Sequence, residues 1–382
     1  MTVMLVGGGT GGHILPLLAV AQELKSRDSK THIIAVVDKS TNFAHLLESA
    51  SEIDQVFKIN AGKFRRYPNQ SITEKLLDLN TLFLNIRDAF RTVVGIFQAY
   101  MLISKYKPRV AFIKGGFVGV PCGIGCRLSG TPFITHDSDA TPGLANRIIG
   151  RWATLHAVAM KKEAYNYDPD KTVQVGIPVS KNFKKVTPKL KLRYREELGV
   201  PRNAKLILIT GGSQGAKELN DLVASISHAL IANKDLYVIH QTGNWKSNDL
   251  PIDNTRYKTV EYIDDLYRYS GASDIIISRA GSIIAEFATQ YKSVILVPAP
   301  QLADGHQLKN AQQIKKLKAG LVIQQDTLRN NPGELLSAID KLLNNHSLNR
   351  EMAENLSKAY PSGAVPKIVD LLEEISPKRA KE

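Results

Sequence analysis

Short apolar runs alternate with longer amphipathic stretches along almost the whole chain. Runs at 3–6, 31–37, 53–59, 110–113 and 132–135 are followed, after a lysine-rich break, by others at 205–210, 236–240, 274–278 and 293–297. Most show no polar alternation, so they read as parallel strands covered on both faces, and the stretches between them have the length of crossover helices. That βαβ spacing predicts an α/β chain of two doubly wound, Rossmann-like parallel-sheet domains facing across a cleft. Ligands then belong outside the carboxyl ends of the strands. Gly176-Ile177-Pro178 marks the expected boundary, giving an N-terminal domain over 1–178, a C-terminal domain over 179–350, and a helical segment over 351–382 that returns to the first domain. The basic stretch 181–191 reads as a solvated linker.

Residues 72–104 depart from this pattern. They read as one or two helices whose apolar positions, Leu82, Phe83, Ile86, Phe90, Val93 and Phe97 among them, exceed what one buried stripe needs. Lys63, Arg65 and Arg66 lie just before them. The stretch either packs on the core or docks on an anionic membrane surface.

Glycine turns close several strands. The first strand runs into Gly7-Gly8-Gly9-Thr10-Gly11-Gly12-His13 and then into a helix whose first turn is expected to hold Pro16. Glycines let backbone N–H groups approach an anion closely, and a helix N-terminus favours negative charge. Similar turns stand at Lys114-Gly115-Gly116, at 211–216 and at 279–282. Gly7, Gly9 and Gly12 with Asp38 also fit a dinucleotide fingerprint, which would make a nicotinamide or flavin enzyme. However, Asp38 lies 26 residues beyond Gly12, looser than the usual spacing of about 20, and the second half stays unexplained. There, Gly281 suits a diphosphate, Glu286 can accept from both hydroxyls of a ribose, and Ser213 adds a hydroxyl. The competing reading of Glu286 is an acid that only steadies a helix dipole.

At 382 residues and 43% hydrophobic, with no low-complexity tract, the chain is a globular protein of two ordinary domains. Its net charge of +14 favours an anionic partner. The basic residues are scattered and not interleaved with aromatics, which argues against nucleic acid. Cys122 and Cys126 read as buried free thiols rather than metal ligands. No leader pattern precedes the first strand and no apolar stretch reaches spanning length, so a cytosolic or peripheral protein is expected.

Five stretches together carry a resemblance: Gly-Gly-Thr-Gly-Gly-His at 8–13, Gly-Gly-Ser-Gln-Gly-Ala at 211–216, Glu-Tyr-Ile-Asp-Asp at 261–265, Ser-Arg-Ala-Gly with a following Glu at 278–286, and Asp-x-His-Gln-x-x-Asn-Ala at 304–311. In this order, over nearly the whole chain, they resemble the MurG family of peptidoglycan N-acetylglucosaminyltransferases, of the GT-B class. The resemblance implies transfer of GlcNAc from UDP-GlcNAc to undecaprenyl-diphospho-MurNAc-pentapeptide (lipid I), on the cytoplasmic face of the cell membrane. It implies no bound cofactor or metal, a peripheral attachment, and partners among other cell-wall synthesis proteins. It puts the backbone of Ile263 on uracil and Glu286 on the ribose. Ser213, Gln214, Gly281 and Ser282 fall on the diphosphate, and His306 and Gln307 on the sugar. Thr10, Gly11, Gly12, Lys114, Gly115, Gly116, His136 and Asn146 fall on the acceptor side.

His13 is the expected general base, since an imidazole titrates near working pH. The alternative is a histidine that only hydrogen-bonds a phosphate. His136-Asp137-Ser138-Asp139 stands where the family usually has His-Glu-x-Asn, which makes Asp139 a second candidate base. Ile113-Lys114 stands where a further glycine is usual, and Lys114 either answers an acceptor phosphate or is a surface lysine. The stretch from Gly281 to Glu286 is one residue shorter than usual, and the segment after Gly176 lacks an expected asparagine and arginine, with Lys181 the nearest substitute. These departures keep open a related UDP-sugar transferase with another lipid acceptor, such as a diacylglycerol. A UDP-GlcNAc epimerase shares the architecture, but the acceptor-side glycine turns and the greasy helices argue against it; a non-catalytic UDP-sugar-binding cell-wall protein is the alternative from outside enzymes.

Overall fold

In the computed structural model, residues 1–63, 79–139, 141–213, 215–245, 250, 255–300 and 305–377 are described. They divide into one unit of Met1–Ser180 with Gly363–Glu382 and another of Lys181–Ser362. The first unit runs β1 (Thr2–Gly7), α1 (Gly11–Arg27), β2 (His32–Asp38), α2 (Ala44–Glu48), β3 (Gln55–Ile59), α3 (Leu79–Tyr106), β4 (Val110–Gly115), α4 (Gly119–Ser129), β5 (Phe133–Asp137), α5 (Leu144–Ile149), β6 (Leu155–Val158) and β7 (Thr172–Gln174). All seven strands are parallel, in the order β3-β2-β1-β4-β5-β6-β7.

The second unit runs α6 (Pro188–Glu197), β8 (Lys205–Thr210), α7 (Lys217–Ala232), β9 (Leu236–Gln241), β10 (Tyr257–Val260), α8 (Leu266–Ala272), β11 (Ile275–Ser278), α9 (Ile284–Thr289), β12 (Val294–Leu296), α10 (His306–Lys316), β13 (Leu321–Val322), α11 (Gln325–Asn330), α12 (Gly333–Asn344) and α13 (His346–Ala359). Its six parallel strands are ordered β10-β9-β8-β11-β12-β13. The central strands β1, β4, β8 and β11 are buried along nearly their whole length, as their unbroken Val, Ile and Leu runs require. In each sheet the order reverses beside the first strand, between β1 and β4 and between β8 and β11. Those switch points open crevices at the carboxyl ends of the strands.

Three local expectations are corrected. The basic stretch 181–191 is not all linker: α6 begins inside it, with Pro188 at its first position and the Thr187 hydroxyl accepting from the Leu190 N–H. Lys191 and Arg195 both reach Asp274, at 2.6 Å each, so this basic helix is pinned to the sheet. Pro16 lies in the second turn of α1, because the helix begins at Gly11, and it offers no N–H to the Gly12 carbonyl. The segment 351–382 divides between the units. α13 packs on α9 and α12 in the second unit, whereas α14 (Ala364–Ile375) lies on α1, where Arg27 bridges to Asp370 at 2.7 Å and Glu373 at 3.2 Å.

Helix α3 settles which way the greasy stretch faces, as far as it is described. Asp88, Thr92, Ala99 and Ile103 are buried, and Gly125 of α4 lets the two helices meet closely at Ala99 and Ile103. On the other side Phe83, Ile86, Phe90, Val93, Phe97 and Met101 are all more than half exposed. Their three- and four-residue spacing aligns them on one stripe about 27 Å long. Arg65, Arg66 and residues 72–78 lie outside the described residues. No helix among the described residues is long and apolar enough to cross a membrane.

Candidate active site

At the N-terminal switch point, β1 ends on Gly7 and β4 on Gly115. Their ladder slips by one residue there, pairing Val6 with Ile113 and then Gly7 with Gly115, so Lys114 is the extra residue of a bulge. Bulges re-aim a side chain, and this one tucks Lys114 inward to 4% exposure. The two turns press together. Gly116 has φ +79°, and a β-carbon there would lie 2.5 Å from the Gly8 carbonyl oxygen, so only glycine fits. The Asp38 carboxylate is spent on this turn, accepting from the Gly9 N–H at 2.9 Å and from the Ser40 backbone and hydroxyl. It is therefore engaged where a dinucleotide enzyme would need it for ribose.

Helix α1 starts under the same turn. Thr10 occupies its N-cap but does not cap it: the hydroxyl lies 3.2 Å from His13 Nδ1. Gly11 and Gly12 form the first turn, whose N–H groups are left for a ligand. Burial and the nearby Lys114 ammonium push the His13 imidazole down to about 3. This corrects the expectation of a histidine titrating near working pH. His13 is neutral well below pH 7, chiefly through burial, and an anion against Lys114 offsets the smaller, repulsive part of that shift.

The Lys114 ammonium has no hydrogen bond or ion pair among the described residues. Burial pulls its ammonium down while Asp137 and Asp139 pull it up. His136 is fully buried and donates from Nε2 to the Gly176 carbonyl at 2.9 Å, which leaves Nδ1 as an unpartnered acceptor. Asn146 donates to the His136 carbonyl at 2.9 Å and to Asp137 Oδ1 at 3.0 Å. The β-carbon position at Gly115 lies 3.6 Å from Asn146 Oδ1 and 3.8 Å from His13 Cδ2, so the turn, the histidine and the asparagine converge. The backbone carbonyl of Asp139 accepts from the Tyr165 hydroxyl at 2.8 Å, and its carboxylate is within electrostatic reach of Lys114.

At the C-terminal switch point the Gly211–Ala216 turn follows β8. Gly215 has φ +73°, and a β-carbon there would lie 2.5 Å from the Thr242 carbonyl oxygen. Ala216 offers α7 no side-chain cap, so the first-turn N–H groups of this long helix face outward beside Ser213. Gln214 lies outside the described residues. Asn220, Gln241 and His240 brace the turn: Asn220 donates to the Thr242 carbonyl at 2.8 Å and accepts from His240, and Gln241 donates to the Gly212 carbonyl at 3.2 Å.

Across the switch, β11 leads into Arg279, Ala280, Gly281 and Ser282. Open space surrounds the β-carbon position at Gly281. Arg279 is buried and donates to the Val297 carbonyl at 3.0 Å, and Asn310 donates to the Ala280 carbonyl at 3.0 Å, so α10 holds this turn. The Glu286 carboxyl has no hydrogen bond or ion pair among the described residues, and burial pushes it up to about 8. The Ile263 side chain is in the core with Ala280 and Ile284, so only its backbone is available to a ligand. Gln307 accepts from the Ala299 N–H at 2.9 Å, which turns its NH2 away from that contact, and His306 stands beside it as the first residue of α10.

The bracing residues Tyr165, Tyr167, Asn220 and Gln241 were not singled out from the sequence, because each acts through a partner distant in the chain. Asn310 and Arg279 carried a signal, as parts of the stretches 304–311 and 278–286.

Comparison with known proteins identifies the family and the fold class. Residues 3–158 match the glycosyltransferase family 28 N-terminal domain and residues 206–365 its C-terminal domain. The UDP-N-acetylglucosamine–N-acetylmuramyl-(pentapeptide) pyrophosphoryl-undecaprenol N-acetylglucosamine transferase of Borrelia garinii subsp. bavariensis is 30% identical over 99% of this chain and 98% of its own. The Caldicellulosiruptor saccharolyticus enzyme of the same name is 31% identical, covering 98% of each. Among solved structures, Acinetobacter baumannii MurG superposes with a TM-score of 0.68 at 26% identity, over 98% of this chain and 99% of that one. The Neisseria meningitidis UDP-GlcNAc 2-epimerase shares the fold alone, with a TM-score of 0.66 at 15% identity over 98% and 100%. The two Rossmann-like units are of the GT-B fold class, and the chain belongs to glycosyltransferase family 28, with the peptidoglycan N-acetylglucosaminyltransferases.

Proposed function

We propose that the protein is an inverting transferase that moves GlcNAc from UDP-GlcNAc to undecaprenyl-diphospho-MurNAc-pentapeptide, giving lipid II. The observation that carries this reading is the pair of switch points, each ending in unpaired polar groups of a different kind. The C-terminal one offers a lone carboxyl, Glu286, beside glycine turns, which suits a ribose diol next to a diphosphate. The N-terminal one offers a buried cation, Lys114, beside His13, which suits an anionic acceptor carrying a hydroxyl.

In the donor unit, the Ile263 backbone reads uracil and Glu286 accepts from the ribose hydroxyls. Ser213, Gln214 and the Gly281-Ser282 turn hold the diphosphate, and His306 with the Gln307 NH2 holds the sugar. In the acceptor unit, Thr10, Gly11, Gly12, Gly115 and Gly116 surround the lipid diphosphate, with Lys114 as its countercharge and His136 and Asn146 behind it. The acceptor oxygen attacks the anomeric carbon while the bond to the UDP oxygen breaks. The hydroxyl proton passes to His13, and the departing diphosphate takes the electron pair against the N–H groups at the start of α7. Asp139 is the second candidate for the proton.

UDP release from UDP-GlcNAc, measured in EDTA with and without a short-chain lipid I analogue, tests the reading. Acceptor-dependent release is expected. Donor binding without release would sink the acceptor assignment and direct attention to other lipid acceptors.

The exposed stripe of α3 is the surface we assign to the membrane, on its cytoplasmic side. Six large apolar side chains in one row are costly to leave in water, and the chain's positive charge favours anionic headgroups. Phe90→Asp with Phe97→Asp is expected to reduce cosedimentation with phosphatidylglycerol vesicles at least about tenfold. UDP-GlcNAc binding should be unaltered. Vesicle binding equal to wild type would overturn the assignment.

A further inference from the structure

Asn146 is held in one orientation by its surroundings. Its side chain faces the His136 carbonyl and Asp137 Oδ1, at 2.9 and 3.0 Å. A backbone carbonyl and an ionised carboxylate can only accept, so the amide must present its NH2 to both. Its oxygen is then left at the other end, buried, without a partner among the described residues, and 3.6 Å from the β-carbon position at Gly115. A buried acceptor with no donor is costly unless a ligand supplies one.

The lock extends back through Asp137. Its Oδ1 also accepts from the Gly143 N–H at 3.0 Å, and its Oδ2 accepts from the Tyr167 hydroxyl at 2.9 Å. Tyr167 lies flat on His156, ring centroids 3.8 Å apart and planes within 2°, and Thr135 Oγ1 holds His156 Nδ1 at 2.9 Å.

We infer that Tyr167 and Asp137 are positioning residues that fix the Asn146 carbonyl oxygen as the acceptor for one hydroxyl of the acceptor sugar. The inference rests on the transferase reading above and adds three things to it: what holds Asn146, which of its atoms meets substrate, and the kind of group it meets.

Tyr167→Phe keeps the stacked ring and removes only the hydroxyl. With a short-chain lipid I analogue, kcat/KM for the acceptor is expected to fall about tenfold, with KM for UDP-GlcNAc within about twofold of wild type. Asn146→Leu should show a loss at least as large, and adding Tyr167→Phe to it should cost nothing further, because both changes remove one contact.

The pH profile gives a second readout. Burial already raises the Asp137 carboxyl, and it is faced by Lys114 from β4 and by Tyr165 and Tyr167 from the β6–β7 connection, while Asp139, beyond the end of its own strand, acts on the same Lys114 and Tyr165. Loss of the Tyr167 donor raises it further, so the acid limb of acceptor kcat/KM should move to higher pH. A protonated Asp137 could donate to Asn146 Oδ1 and let the amide turn over.

Additive losses in the double variant, donor and acceptor parameters falling together, or a Tyr167→Phe enzyme equal to wild type would each overturn the inference. A wild-type enzyme that does not turn over the analogue would instead overturn the transferase reading, and the inference with it.

Discussion

His13→Ala is expected to lower kcat by about 10²–10⁴-fold, the range of a lost general base, with UDP-GlcNAc affinity unchanged in a calorimetric titration. The imidazole stands at the start of α1, against the Gly115 turn and within reach of the Thr10 hydroxyl. Burial and Lys114 hold it near 3 in the free protein. A group with a depressed pKa is in its base form everywhere above that value. Acceptor kcat/KM should therefore show no acid limb from His13 between about pH 5 and 8, where an ordinary histidine titrates. Once the acceptor's diphosphate lies against Lys114, that repulsion is offset and the ring takes a proton more readily. Asp139→Ala is the companion measurement. If it abolishes kcat while His13→Ala retains turnover within about tenfold of wild type, the base is Asp139 and His13 serves to bind phosphate.

Glu286→Ala should cost about a hundredfold or more in kcat/KM for UDP-GlcNAc, since two hydrogen bonds to a charged acceptor are removed. The pH dependence is the sharper test. Burial holds the carboxyl up to about 8, with Tyr262 facing it and Asp264 beside Tyr262. The ribose hydroxyls are donors and need the ionised form, so below about pH 8 binding must expel a proton. Donor kcat/KM is then expected to rise about tenfold per pH unit up to that value and to level above it. Glu286→Gln, which cannot ionise, should be lower and lack this limb. Calorimetry of UDP-GlcNAc binding at pH 7 in buffers of different protonation enthalpy should show close to one proton released. A wild-type profile that is flat from pH 6 to 9 would remove Glu286 from the ribose.

The central strands were legible because each is an unbroken apolar run ended by glycine, and a strand buried on both faces leaves no other pattern. The shorter strands β6, β7, β10 and β13 were not. β7 has three residues and β13 two, and β10 exposes Lys258 and Thr259, so pairing with an existing edge holds them and not their own composition. The helical start of α6 was hidden by its lysines, although Thr187 and Pro188 were a readable cap.

What the sequence determined by itself was the two doubly wound sheets and the glycine turns at their ends, and through the five spaced motifs the transferase family and which turns are candidates for donor and acceptor. These are local matters of period and backbone freedom. Tertiary structure alone decided the rest. Whether Phe90 and Phe97 face the core or the solvent depends on which side of α3 meets α4. Lys114 is aimed inward by a one-residue slip between β4 and β1, and His13 loses its proton affinity to burial beside it. Asn146 is oriented by Asp137, and Asp137 by Tyr167, 30 residues further on. Burial, register and long-range hydrogen bonds are properties of neighbours in space, and no single stretch of the chain contains them.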